Sequence, residues 1–366
     1  MVRARSSAPI RIVINGRILN EAASPFTRLA SWEVLRVLTG VPEADPVLVV
    51  PEDASLPGEI ELPLIRLPRP IGEWAEAAFD HWHFPREARR QRADLVLFLH
   101  ASAPLSSPAP VLSVYGDGDS LPGSDRRGGR LARALALGGL RGAQAVLRSE
   151  DVPVGDYHLP WFEVPAIVPS SFSPGPTADD RQVADRLGLA QSYVLAAGET
   201  EVTLPTLLAG WTWVEGAMGD SSSLLIANLG DVPERFAVDM ADQLGVGDSV
   251  RTINPGDQDW AAVLRGASAL LHGGGRRNAG LLRWALASGL PVSALLTPIT
   301  ESVLGPAGFL VPERDSRGLG AACLTLLVEE EVANSLKERG LDRAAGYRSE
   351  KARAAWAEAL TTIRNL

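Results

Sequence analysis

Two kinds of stretch alternate along the chain: short runs of consecutive apolar residues, and longer segments whose apolar residues recur every three or four positions. The runs "IRIVING" (10–16), "DPVLVVP" (45–51), "DLVLFLH" (94–100), "PVLSVYG" (110–116) and "AQAVLRS" (143–149) predict strands. Apolar runs without polar alternation suit strands covered on both faces, as in parallel sheets. Between them, "SPFTRLASWEVLRVLTG" (24–40) predicts a helix closed by a glycine cap, and a second helix is expected around "EWAEAAFDHWHFPREARRQRA".

A Pro/Ser/Gly-rich stretch, "VPAIVPSSFSPGPTADD" (164–180), interrupts the pattern and reads as a linker. A second series follows, with strands at "SYVLAAG" (192–198), "SSLLIANLG" (222–230), "DSVRTIN" (248–254), "ASALLHG" (267–273) and "PVSALL" (291–296). Helices are expected at "TLPTLLAGWTWVEGA", "QDWAAVLRGA" (258–267), as one long element at "GLGAACLTLLVEEEVANSLKERG" (318–340), and at the C-terminal "SEKARAAWAEALTTIRNL" (349–366). Strand and helix alternating in both halves predict an α/β protein of two doubly wound, Rossmann-like parallel domains. The expected division is 1–170, a linker at 171–190, a second domain at 191–345, and a last helix at 346–366 with its own amphipathic period, free to pack anywhere, the first domain included.

Composition narrows the function classes. At 366 residues the chain is too long for one ordinary core, and 46% hydrophobic content provides for two. A net charge of −9 argues against nucleic acid as a partner. A single cysteine, Cys323, excludes a disulfide framework and a cysteine-rich zinc site. The apolar run after the basic "MVRARSSAPI" is too short for a signal-peptide core or a spanning helix, so the expected location is the cytoplasm. No metal and no cofactor are expected.

The segment from Gly273 to Val292, "GGGRRNAGLLRWALASGLPV", frames a strand, a glycine turn and a helix. In open α/β sheets such a turn is where ligands sit. Arg276 and Arg277, with the N–H groups of Gly273, Gly274 and Gly275, form a candidate anion site or else a solvated loop tip. No Asp or Glu lies between Gly273 and Thr300, and Trp284 reads as packing before base stacking. "DGDS" (117–120) has alternating Asp residues but lacks the following Gly and Glu of a calcium loop. Asp117 and Asp119 therefore stand as candidate bases behind a buried strand. His81 and His83 would point the same way if extended, but no nearby Cys completes a metal set and only Asp80 is adjacent. The arginine-rich stretch 126–145, with Arg126, Arg127, Arg130, Arg133 and Arg141, reads as a solvated helix, a partner-protein surface or a membrane-docking face.

The order and spacing of "ADLVLFLHASAPL", "PAPVLSVYGDGDSLP", "AIVPSSFSPGP", "YVLAAGETEVTLPTLLAGW" and "LRGASALLHGGGRRNAGLLRWALASGLPVSALLTPITESVLGPAGFLVPERD" resembles the GT-B glycosyltransferases. The closest resemblance is to the large retaining family that takes sugars from nucleotide donors and builds bacterial surface polysaccharides. That likeness implies a donor cleft between the domains, and four of its sites depart from the family pattern. The family's two glutamates, seven residues apart, fall on Arg276 and Trp284, neither of which accepts a hydrogen bond from a ribose hydroxyl. The Arg and Lys that hold the donor diphosphate are missing after Gly198, where Glu199, Glu201, Val202 and Thr203 stand instead. The acceptor-side His-Asp pair falls on Tyr115 and Gly116, with Asp117 and Asp119 nearby. The Gly-rich first turn is "ASPFTR", after which Arg28 matches a basic position. Glu301 is the one acid that fits the family pattern.

Taken together, these departures predict a GT-B protein with a degenerate donor site. The expectation is a weakly or non-catalytic member of a surface-glycan or protein-glycosylation system, associated with a partner glycosyltransferase, a second copy or a glycan. Two alternatives stay open. One is an active glycosyltransferase using Glu301 and an Asp of "DGDS"; the other is a protein binding an anionic metabolite at Gly273–Arg277. Gly198, Thr203, Gly273, Gly274, Gly275, Arg276, Arg277 and Trp284 are the donor or anion-binding candidates. A nucleotide sugar remains a possible ligand, and peripheral contact with a membrane is compatible with the basic stretch.

Overall fold

The computed structural model describes residues 8–19, 25–54, 56, 60–69, 75–115, 134–135, 138–148, 161–227, 232–274 and 279–364. Its strands form two all-parallel sheets, one after the other along the chain. The first contains β1 (Ile10–Asn15), β2 (Ala44–Pro51), β3 (Leu64–Leu67), β4 (Leu95–Phe98), β5 (Val111–Tyr115), β6 (Ala145–Arg148) and β7 (Trp161–Glu163). Their order is β3-β2-β1-β4-β5-β6-β7. The second contains β8 (Val194–Ala197), β9 (Leu224–Ala227), β10 (Val250–Ile253), β11 (Ala269–His272), β12 (Val292–Leu295) and β13 (Gly308–Val311), in the order β10-β9-β8-β11-β12-β13. The predicted fold class, α/β with two doubly wound sheets, is what the chain adopts.

Alternating side chains of each strand feed two different cores. In the first sheet Ile12, Ile14, Leu48 and Leu97 face one way, against Leu35 and Leu38 of α1 (Pro25–Thr39) and Trp356 of the C-terminal helix. Val13, Val49, Val96 and Phe98 face the other, against Phe79 and against Phe84 and Ala88 of α2 (Phe84–Arg90). Each fully buried aliphatic side chain stabilises the fold by about 1.5–3 kcal/mol. Helix α3 (Asp180–Leu187) follows β7, inside the stretch 171–190. Around the second sheet lie α4 (Leu204–Met218), α5 (Glu234–Gln243), α6 (Trp260–Gly266), α7 (Ala279–Ala287), α8 (Pro298–Leu304) and α9 (Ser316–Val328). They are followed by α10 (Glu330–Ala344) and α11 (Ser349–Arg364). Helix α11 returns to the first sheet, burying Ala352, Trp356, Leu360 and Ile363 there.

Three departures from the sequence pattern have local causes. The element expected at 318–340 is two helices, because Glu329 leaves the helical region (φ −103, ψ 86). The break puts Glu330 and Glu331 into a first turn, where the helix dipole favours acids. The stretch around residues 73–93 is a helical turn (Ala75–Ala78), a π-helical turn (Phe79–His83) and α2. The N–H of Phe84 donates to the carbonyl of Phe79, and Pro85 has no N–H to continue an ordinary helical ladder. His81 and His83 therefore do not lie on an extended segment. Strands β3, β7 and β13 were not expected; β3 has alternate residues exposed and β13 is only partly buried, so neither is an unbroken buried run.

Candidate functional site

In both sheets the strand order reverses at one place, between β1 and β4 and between β8 and β11. The crevice beyond the carboxyl ends of strands at such a reversal is where open α/β sheets bind ligands.

At the second reversal the loops after β8 and β11 pack against each other. Gly198, at φ +73, turns the chain so that Glu199 points back at β11. The Glu199 carboxylate accepts from the N–H of Gly273 at 2.9 Å and lies 3.2 Å from Nδ1 of His272. Glu199 is 5% exposed and His272 wholly buried. The approach is close enough that a Cβ on Gly273 would run into the Glu199 carboxylate and meet Cβ of Thr203 at 3.0 Å. Gly274 has φ +77, and a Cβ there would strike Thr297 at 2.8 Å. Thr203 is engaged locally, its hydroxyl accepting from the N–H of Thr200 at 2.8 Å ahead of α4. Glu199 thus takes a backbone N–H that an anionic ligand would use. The cavity beside it, lined by Glu199, Ile226, Ala227, Glu234 and Thr252, measures about 20 Å³. That volume suits one water and falls far below the ~300 Å³ of a small-ligand pocket.

The neighbouring side of this region is filled by aromatic rings. Trp284 of α7 is 1% exposed and stacks on Phe172 at 4.4 Å between ring centroids, with an interplanar angle of 19°. Phe26, from the start of α1, packs at a tilt against Trp260, with ring centroids 4.8 Å apart, and edge-on with Trp284 at 4.9 Å. A side chain of the first half is therefore buried in the core of the second. One turn on, Arg28 forms a two-pronged ion pair with Asp257, its Nε donating to Oδ2 at 3.0 Å. Both side chains are largely buried, and each pins one half to the other. A double-mutant cycle on Arg28→Ala and Asp257→Ala, read by urea unfolding, is expected to give a coupling of about 1–3 kcal/mol. A coupling near zero would mean that the pair does not form in solution.

The first reversal holds a buried polar network. Asp80, from the π-helical turn, is 3% exposed and lies beyond the ends of β1 and β4. It accepts from Asn15 at 2.9 Å and from Arg17 at 3.0 and 3.1 Å, with the Ser102 hydroxyl at 3.3 Å. Burial pushes the Asp80 carboxyl upward, but the Arg17 guanidinium beside it prevails and holds it well below the usual carboxylate range. Arg17 also pairs with Glu76 at 3.1 Å and lies 2.8 Å from Nε2 of His100. The same Nε2 lies 3.2 Å from Oδ2 of Asp80, so this ring nitrogen sits between a donor and an acceptor. Nδ1 has no hydrogen-bond partner among the described residues. Burial holds the pKa of neighbouring His81 low, and its Nδ1 accepts from the N–H of Leu105 at 3.2 Å.

Among the sequence candidates, Gly198, Thr203, Gly273 and Gly274 come together at the second reversal, and Trp284 lies in the aromatic cluster. Glu301 stands exposed in the first turn of α8, whose cap is made by Thr297 and Thr300 and not by the acid. Asp117, Asp119, Gly275, Arg276 and Arg277 lie outside the described residues, as do Arg126, Arg127, Arg130 and Arg133; Arg141 is exposed. Asn15, Arg17, Asp80 and His100 were missed. Their signal was the polar residue ending each apolar run, Asn15 after "IRIVI" and His100 after "LVLFL".

The sequence matches no family model and no curated protein. Similar architecture is found in WaaG, a glycosyltransferase involved in lipopolysaccharide biosynthesis, with TM-score 0.68, 13% identity and coverage of 94% of this chain and 98% of that one. Anabaena HepE, in complex with UDP and glucose, gives TM-score 0.68 and 13% identity over 96% and 100% of the two chains. The N-terminal domain of Candida albicans trehalose-6-phosphate phosphatase gives TM-score 0.64 and 12% identity over 99% and 98%. Likeness at this identity speaks for architecture, not for chemistry. The chain has the GT-B fold, and glycosyltransferases are its structural neighbours.

Proposed function

We propose that this chain is a degenerate GT-B protein of a bacterial surface-glycan or protein-glycosylation system, acting beside a partner enzyme or binding a glycan. The observation that carries the reading is the occupied second reversal. Trp284, at a place where the resemblance expects a carboxylate, is buried against Phe172 and Phe26. The Gly273 N–H is bonded by Glu199, and the loop after β8 offers Glu199 and Glu201 in place of cations. The basic stretch 126–145 is the surface we assign to the partner.

Losing two charge-assisted phosphate contacts removes about 3–6 kcal/mol. That difference turns micromolar binding into millimolar or weaker. Calorimetric titration with UDP, ADP, GDP and their glucose conjugates is expected to give dissociation constants of about 1 mM or more. A value below about 10 µM for any of them would overturn the reading. A second reading, an active glycosyltransferase with a rearranged site, draws on His100 at the other reversal, whose Nδ1 has no hydrogen-bond partner among the described residues. Sugar-dependent turnover that disappears in His100→Ala would favour it.

A further inference from the structure

A groove of about 790 Å³ lies where the two chain crossings between the sheets meet. The first crossing is the segment between β7 and α3; the second is the turn between α10 and α11. They are hydrogen-bonded to each other, the N–H of Val168 donating to the carbonyl of Tyr347 at 3.2 Å. Val37 of α1, Val168, Ala287 and Leu341 supply an apolar lining. Phe172, which stacks on Trp284, also borders the groove, so its walls are continuous with the aromatic cluster.

Three arginines border this space: Arg36, Arg348 and Arg353. Arg36 leans on Glu33 at 3.5 Å, whereas the side chains of Arg348 and Arg353 make no hydrogen bond or ion pair among the described residues. The Arg353 guanidinium is held against Gly40, where a Cβ would meet its Nε at 2.8 Å. Two acids, Glu33 and Glu350, share the lining. Burial raises the pKa of Glu33 against the pull of Arg36. Two guanidiniums without an ion-pair partner among the described residues thus border an apolar lining, in a chain of net charge −9. Their planar forks suit phosphate oxygens, and the volume falls in the range of small-molecule pockets.

We propose that this groove binds a soluble phosphate monoester, its phosphate on Arg348 and Arg353 and its apolar body against Val168, Ala287 and Leu341. Such a ligand touches both halves and both crossings at once. The site is separate from the strand reversals, so it stands whether or not the protein transfers sugar.

The full chain is titrated by calorimetry with phenyl phosphate and with inorganic phosphate. Phenyl phosphate is expected to bind at least about tenfold more tightly, because only it reaches the apolar lining. Arg348→Ala with Arg353→Ala is expected to weaken it by about tenfold or more at an unchanged melting temperature, since both side chains are exposed. Arg348→Lys with Arg353→Lys keeps the charge without the fork and is expected to fall between. Ala344→Glu, which puts an acid on the groove wall, is expected to abolish binding and serves if the arginine pair alters folding. Equal binding of the two probes, or affinity unchanged in the alanine pair and in Ala344→Glu, overturns the proposal. Flotation with phosphatidic acid vesicles that is lost in the alanine pair, without phenyl phosphate binding, would assign the arginines to a lipid surface and overturn it as well.

Discussion

Asp80→Ala is expected to destabilise the first half of the protein by about 3–5 kcal/mol, the cost of leaving a buried charge without its partner. Arg17 would lose its buried carboxylate partner and keep the ion pair with Glu76, which is more than half exposed and uses a different guanidinium nitrogen. Against a total stability of roughly 5–15 kcal/mol, that is enough to unfold a large fraction of the chain on mild warming. Asp80→Asn keeps the shape and the bond from Asn15 but loses the charge, so it is expected to cost less. The pH dependence follows from the depressed carboxyl of Asp80. A group whose folded pKa lies below its unfolded value of about 3.9 contributes fully above that value and loses its contribution as pH falls through the folded pKa. Urea unfolding between pH 7 and pH 3 is therefore expected to show wild-type stability falling below about pH 5, with a shallower slope for Asp80→Asn. Identical slopes would mean that Arg17 and Asp80 are not paired in solution.

The parallel sheets were legible because their central strands are buried on both faces and appear as unbroken apolar runs, as β4, β8 and β11 do. The same logic failed at β3, whose alternate residues are exposed, and at Glu329, where one residue's backbone splits a continuous helical period. Site chemistry was harder to read. The absence of carboxylates from Gly273 to Thr300 is visible in the sequence, but that Glu199 fills the neighbouring turn is a tertiary fact. Neither the pairing of Phe26 with Trp284 nor that of Arg28 with Asp257 leaves any trace in sequence spacing, since each joins residues more than two hundred positions apart. Asp80 was passed over as a neighbour of two histidines. Only the π-helical turn that aims it at Arg17 gives it its place.

Trp284 offers the sharpest test of whether missing carboxylates alone keep nucleotides out. Trp284→Ala is expected to cost about 3–5 kcal/mol, because the void would lie among Phe26, Phe172 and Trp260, rings held by their own packing. Trp284→Glu adds a carboxyl group in apolar surroundings, where burial favours its neutral form. A neutral acid at that position is a poor acceptor for a ribose hydroxyl. Combining it with Arg276→Glu to reproduce the family's spacing is therefore expected to leave UDP-glucose affinity unchanged within about twofold. The diphosphate would still meet Glu199 on the Gly273 N–H, and Glu201 with no cation. Val202 is 83% exposed and accepts arginine without repacking, whereas Thr203→Lys would remove the hydroxyl that caps Thr200. Glu199→Gln with Val202→Arg is thus expected to improve affinity more than the two glutamates do, by about tenfold at most. Calorimetry on the two double variants decides between them. Tight UDP-glucose binding or sugar transfer from the glutamate pair alone would mean that the phosphate is held by residues outside the β8 and β11 turns, and the reading of this cleft as occupied would be wrong.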